Sequence, residues 1–227
     1  MAQDEIRNKT ILRRSRNLER RRIQRNKIGE VSIQGFDSGL DIYYTIDGNN
    51  PSAQSLKYSE PFLLNKKATV KAIVVDPGSK AGSPVSEVQF DISKENWKLV
   101  GAFESVEQSR FIFDGNPESA WSLNSDSPLD FVIDLAENVN ISGFNYLPDQ
   151  GRWNPGIINR YEFYVSKDGK NWGNPVSEGE FANIKNNPVL QKKEFDFVQG
   201  RFVKFRALSP AEEKGRLGIA EFDIITQ

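Results

Sequence analysis

The chain has 227 residues, room for two small domains or one large one, and its 37% apolar content with 15 Phe, 6 Tyr and 4 Trp can build a core. It contains no Cys and no His, which removes disulfides, thiolate nucleophiles, Ser-His-Asp and Cys-His chemistry and the usual zinc sites. The formal charge of −1 hides an asymmetry: residues 1–27 hold ten Lys/Arg against three Asp/Glu, a net of +7, while the rest holds 20 against 28, a net of −8.

The basic segment 1–27, with Arg13, Arg14, Arg16, Arg20, Arg21, Arg22 and Arg25, reads either as an arm for nucleic acid or anionic membrane, or as a solvated stretch outside the fold, flexible or partly helical. It lacks the interleaved aromatics of a single-strand binder. Ile6, Ile11, Leu12, Leu18 and Ile23 are too sparse for an amphipathic face, so the solvated reading is preferred and no nucleic-acid partner is expected. No apolar run approaches the roughly 18 residues that cross a bilayer. The N-terminus offers no apolar stretch of the secretory kind, so no signal peptide is expected.

From Glu30 the pattern is β. Val31–Ile33, Asp41–Ile46, Ala68–Val75 and Val85–Phe90 are short and rich in β-branched or aromatic residues. Turn clusters at 37–39, 47–51 and 76–79 separate them, which predicts a small antiparallel sandwich over residues 28–92. The polar connection Ser93–Trp97 predicts a domain boundary. Beyond it Leu129–Leu135, Tyr161–Ser166, Gly200–Arg206 and Ile219–Ile225 alternate as strands, and Asp168-Gly169 predicts a hairpin turn with Trp172 packing on the next strand. Strands at this spacing over residues 97–227 suggest a sandwich or jelly roll, so the whole chain is expected to be all-β.

Two loops carry candidate chemistry. In the first, Phe113–Trp121, a carboxylate stands in a tight Gly-containing turn, and Ala220-Glu221 supplies a second carboxylate on the last strand. Calcium takes several oxygens of mixed type. Side chains of Asp114, Ser119 and Glu221 and carbonyls of Phe111, Asn116 and Ala220 could supply them; a plain Asp-Gly turn is the other reading. The terminal strands of a sandwich can lie side by side, so Asp114 and Glu221 could meet. The second loop, 148–155, offers Trp153 as a platform for the apolar side of a sugar, with Asp149, Gln150, Arg152 and Asn154 to read hydroxyls. Alternatively, Trp153 folds down over its own loop. The polar stretch Ser122–Ser127 is a further candidate rim, for which a plain loop is the preferred reading. The 31 carboxylates lie mostly in turns and on solvent-facing strand positions rather than in a deep cleft, so no glycosidase pair and no catalysis is expected.

Tyr44-Thr-Ile-Asp-Gly-Asn-Asn-Pro51 with Ser55, Tyr58 and Pro61 resembles the small Ig-like domain that follows the catalytic barrel in bacterial β-hexosaminidases and α-L-fucosidases. Residues 97–227 resemble a discoidin domain (coagulation factor V/VIII type C) of the sugar-binding branch, the family-32 carbohydrate-binding modules. The carriers are Asp114-Gly115 with Trp121, Phe131–Leu135, Phe144–Pro148, Ser166–Gly169 with Trp172, Arg201–Val203 and Ala220-Glu221. The order of the two resembles the C-terminal half of a Bacteroidetes-type α-L-fucosidase, without its barrel. That resemblance implies a structural Ca²⁺ at Asp114, Asn116, Ser119 and Glu221. It also implies glycan partners, terminal galactose- or fucose-type sugars, a glycoside hydrolase as host, and a periplasmic or extracellular setting, or a cytoplasmic one for a truncated product. Asp149 stands where relatives carry Arg after Leu-Pro, and no His stands near Trp121. Either specificity differs, with Arg152 substituting, or binding has decayed. A ligand-free structural fragment and a membrane-binding discoidin domain are the alternatives.

Overall fold

The structure, a computed structural model, describes residues 23–34, 39–103, 107–125, 128–151, 156–212 and 215–227. The chain divides into two compact units, residues 1–93 and 94–227. The protein is all-β, and among the described residues the only helical element is the 3₁₀ segment Glu107–Phe113.

The first unit has β1 (Ile23–Arg25), β2 (Glu30–Ile33), β3 (Asp41–Thr45), β4 (Leu56–Lys57), β5 (Phe62–Leu63), β6 (Ala68–Val75) and β7 (Ser86–Phe90). They pair antiparallel in two sheets, β1-β2-β5 and β4-β3-β6-β7, around Ile23, Val31, Ile33, Leu64, Val70 and Ala72. The Tyr44–Pro51 motif has a plain physical role here. Tyr44 stacks on Phe62 at 4.6 Å and meets Tyr58 edge-on at 6.2 Å, which fastens the core. Asp47 accepts from Asn49 N and Nδ2, and Gly48 turns the chain at φ +80°.

Residues 23–25, placed by the sequence in a solvated basic segment, instead form β1, which pairs with Val31–Ile33. The reason is Arg25. Its guanidinium is buried and donates to the carbonyls of Leu64 (3.2 Å), Asp91 (2.8 Å) and Ile92 (2.8 Å), 4.9 Å above the Phe90 ring. A cation whose donors all meet oxygen is tolerated inside. Residues 1–22 lie outside the described residues.

The second unit has β8 (Lys98–Val100), β9 (Trp121–Asn124), β10 (Leu129–Leu147), β11 (Ile158–Ser166), β12 (Ser177–Glu180), β13 (Gln191–Pro210), β14 (Arg216–Ile219) and β15 (Glu221–Thr226). One sheet runs β12-β11-β13-β10-β15 with β8 also on β10, and β9 and β14 form a ribbon. β10 and β13 are long because each continues through irregularities, at Asp134/Val139 and Ile141/Gly143 in β10. β10 pairs β13 along both of its stretches, Leu129–Asp134 and Val139–Tyr146, with register shifts between them; β13 also pairs β11, and Ile141–Leu147 of β10 also pairs β15. The strands thereby bend over one core, a jelly-roll sandwich. Phe131, Ile133, Phe144, Tyr146, Phe163, Phe205 and Phe222 fill it, each at most 1% exposed. Each such side chain contributes about 1.5–3 kcal/mol by leaving water.

The expected Asp168-Gly169 hairpin is longer than a two-residue turn: β11 ends at Ser166 and β12 begins at Ser177. Asp168 accepts from the amides of Lys170 and Asn171, building a self-contained loop. Lys204 Nζ of β13 lies over the rings of both Tyr164 (4.1 Å) and Trp172 (4.9 Å), so Lys204 holds Trp172 to β13.

Replacing Arg25 by Met leaves three inward carbonyls without a donor. We expect the first unit to lose about 2–4 kcal/mol in urea denaturation; an unchanged midpoint would show that the clasp is dispensable.

Candidate functional site

The first cluster lies where the second unit begins and ends. Gly115, at φ +83°, turns the Asp114 loop so that its amide donates to Glu221 Oε1 at 2.6 Å. The loop and the last strand, expected to meet, do so. Asp114 Oδ1 accepts from Asn116 N at 2.8 Å. Ser119 Oγ stands 2.8 Å from both Asp114 Oδ2 and the Asn116 carbonyl, one hydroxyl proton between two acceptors. Ala220 is buried between β14 and β15 with its amide on Leu147 O, and Phe111 sits in the 3₁₀ segment beneath Arg110. The contacts joining loop to strand run through Asp114 and Gly115 rather than through these two.

Two residues that the sequence reading passed over complete the cluster. Lys94 places its ammonium 3.1 Å from Glu221 Oε2, 3.1 Å from the Phe222 carbonyl and 3.3 Å from Asp223 Oδ2. Glu221 and Asp223 are two apart on β15 and so share a face, a spacing that pointed to a cation opposite. Burial works to lower the Lys94 pKa, but Asp223 and Glu221 outweigh it and hold the ammonium charged. For Glu221, burial raises the carboxyl, Lys94 pulls it back and Asp114 pushes it up again, and it ends at about 7. Among the described residues no group of three or more carboxylates is gathered as a metal centre. Asp114, Asn116, Ser119 and Glu221 nonetheless gather oxygens of the mixed types that a hard divalent cation takes, although the carboxylates here accept from Asn116 N, Ser119 Oγ, Gly115 N and Lys94 Nζ.

The second cluster surrounds loop 148–157. Its base is closed by Asp149 N donating to Gly156 O at 3.1 Å. Asp149 and Gln150, expected to read sugar hydroxyls, are engaged elsewhere. The Asp149 carboxylate accepts from Gly151 N (2.8 Å) and Gly156 N (3.2 Å), and the Gln150 amide donates to the carbonyls of Pro148 (2.8 Å) and Pro188 (3.0 Å). Short polar side chains next to glycines fold back on nearby amides more readily than they reach outward. Arg152, Trp153 and Asn154 lie outside the described residues.

The loop is clamped to the β9–β14 ribbon. Buried Tyr146 accepts from Ile158 N at 2.9 Å and donates to Gly218 O at 2.8 Å, and burial raises its pKa far above the ordinary phenol value. Gly156 lies flat against Gly218: a Cβ added to Gly156 would stand 2.6 Å from Gly218 Cα. Ile157 N donates to Arg216 O at 2.9 Å, and Arg216 Nη2 to Ser122 O at 3.2 Å. The described parts of the two candidate rims, 148–151 and 122–125, are thus brought to one end of the sandwich.

The second unit is thus a jelly roll with its last strand clasped to its start and a loop clamped at one end, and the comparisons give its family. The chain belongs to the F5/8 type C domain family, whose model matches residues 101–222, and an Fn3-associated model matches residues 31–90. It is 28% identical over 179 residues to a galactose oxidase of Gibberella zeae, covering 69% of this chain and 26% of that protein. It is 28% identical over 119 residues to a sialidase of Micromonospora viridifaciens, covering 50% of this chain and 18% of the sialidase. The chain therefore spans about a quarter or less of these curated relatives. The C-terminal domain of a chitobiase from Bacteroides fragilis has the same fold, at a TM-score of 0.50 and 23% identity over 60% of this chain and 97% of that one.

Glu221 binds its proton more tightly in the folded chain, at about 7, than unfolded, at roughly 4.3. In metal-free buffer its contribution to stability is full below the lower value and is lost as pH rises through about 7. Urea denaturation of the second unit from about pH 4 to about pH 8 should show this decline in the wild type and not in Glu221→Gln. Parallel pH profiles would remove the assignment.

Proposed function

We propose that this chain is a noncatalytic, carbohydrate-binding accessory region of a glycoside hydrolase, of the α-L-fucosidase-like type, that holds terminal galactose- or fucose-type sugars outside the cell or in the periplasm. The observation that carries the reading is the clamped loop 148–157. Tyr146 and the Gly156–Gly218 contact fix its base, while Asp149 and Gln150 are turned inward to hold its shape. A rim stiffened in this way loses little entropy when a ligand arrives. Membership of the F5/8 type C family supports it, as does similarity to a galactose oxidase and a sialidase, both enzymes of sugars by name. The tip residues Arg152, Trp153 and Asn154 are the proposed contacts, with Trp153 stacking on the pyranose.

A ligand-free structural fragment is the second reading, favoured by the inward engagement of Asp149 and Gln150. Affinity electrophoresis through galactose- and fucose-bearing glycans decides between them. Wild type should be retarded with a binding free energy of about −4 to −6 kcal/mol and Trp153→Ala should run free. An unretarded wild type would sink the accessory reading.

We further propose a structural Ca²⁺ held by Asp114, Asn116, Ser119 and Glu221, with Phe111 and Ala220 carbonyls completing the set. Its charge would offset the burial, and the smaller repulsion from Asp114, that lift Glu221, joining loop to last strand without taking part in any reaction. Calcium at about a hundredfold over its dissociation constant should stabilise the second unit by about 2.7 kcal/mol. A melting temperature that neither EDTA nor calcium moves would refute this.

A further inference from the structure

At the open end of the β9–β14 ribbon, Arg216 stands directly opposite Asn124. Side chains two apart on a strand share a face. Gly218 meets Gly156 of the loop, so Arg216 lies on the loop side of the ribbon, whereas Leu217 and Ile219 are buried in the core. The Arg216 carbonyl takes the Ile157 amide, which holds this strand against the end of the loop. Nη2 donates to Ser122 O, fixing the head of the side chain; Nε is buried without a partner. Nη1 has no partner among the described residues.

The other described arginines of this unit are each matched by a carboxylate. Arg201 is bidentate on Asp134, Arg206 meets Asp130 and Glu162, Arg160 meets Glu180 and Arg110 meets Glu107. Among the described residues, no carboxylate pairs with Arg216. The loop's own carboxylate, Asp149, is turned onto the amides of Gly151 and Gly156. Across the ribbon Asn124 is exposed, and its amide is bonded to no described residue. Among the described residues this half-buried, oriented guanidinium is short of acceptors and of counter-charge, and with the exposed Asn124 amide beside it, it fits a carboxylate better than a hydroxyl.

We propose that Arg216, assisted by Asn124, is the specificity-determining pair of the rim and reads the carboxylate of an acidic terminal sugar, of the uronic or sialic class. This rests on the carbohydrate-binding reading above and narrows its ligand class.

The test is calorimetric titration of the full chain with methyl galacturonide and the methyl glycoside of N-acetylneuraminic acid, against the neutral methyl galactoside and methyl fucoside. Wild type should bind at least one acidic glycoside about tenfold more tightly than the neutral pair, the advantage shrinking as salt is raised. Arg216→Met should erase that advantage and leave neutral binding in place. Arg216→Gln, which removes the charge but keeps a donor for the Ser122 carbonyl, gives the same readout should the Met variant melt early. Binding of neutral sugars with no acidic preference, or a preference that survives both variants, overturns this inference and leaves the accessory function standing. Failure to bind any of the four glycosides overturns both.

Discussion

Glu221 is a carboxylate taken out of water and gripped from two sides, by the amide of Gly115 and the ammonium of Lys94. Much else in the second unit follows from that burial. An unpaired charge at such a depth is costly, so each oxygen needs its own donor. The donors come from far apart in sequence: the first residue of the unit and a loop about twenty residues later. The last strand is therefore tied to the start of the unit by electrostatics as well as by its hydrogen-bonded ladder with β10. Asp114 crowds the same carboxylate, which leaves the cluster with more negative charge than Lys94 balances. The closure of the sandwich and the excess of negative charge in this cluster thus have one origin.

The first unit solves the same problem with the opposite economy. Arg25 is clasped by the carbonyls of Leu64, Asp91 and Ile92, which lie at strand ends. A guanidinium suits three carbonyls in different directions, where a compact ammonium suits the carboxylate cluster around Lys94. Each unit places a buried cation where its first strand returns to its last residues.

Strand identity was legible because alternation survives in short stretches: Phe131, Ile133 and Leu135 on β10 and Val203 and Phe205 on β13 all point inward. Strand length was not. The irregularities near Ala136 and Gly143 shift the period of two, and the polar residues beyond them read as loop. The meeting of Asp114 with Glu221 was legible from fold logic, since the terminal strands of a sandwich are neighbours. Lys94 was not, because a lysine in a polar connection looks like any solvated lysine until its acceptors are known. Asp149 and Gln150 show the converse. Their residue types suit sugar recognition equally well as they suit loop closure, and only the positions of Gly151, Gly156 and Pro188 decide between the two. Arg25 was misplaced for a similar reason: a run of arginines reads as solvent-facing, yet one of them ends in the interior.

The contact between Gly156 and Gly218 has a bearing on how such a rim can change. Backbone lies on backbone there, with no side chain to negotiate, and Tyr146 bridges the same two segments from below. A methyl group at either glycine would pry the loop away from the ribbon, so these two positions are closed to variation. Gly151, farther out on the loop, meets no backbone so closely: the nearest atom to an added Cβ is Asp149 Oδ1 at 3.1 Å. The arrangement separates heritable geometry from adjustable chemistry: new tips can be exchanged onto an unaltered hinge-free base, and a shift of ligand need not be accompanied by a change of fold.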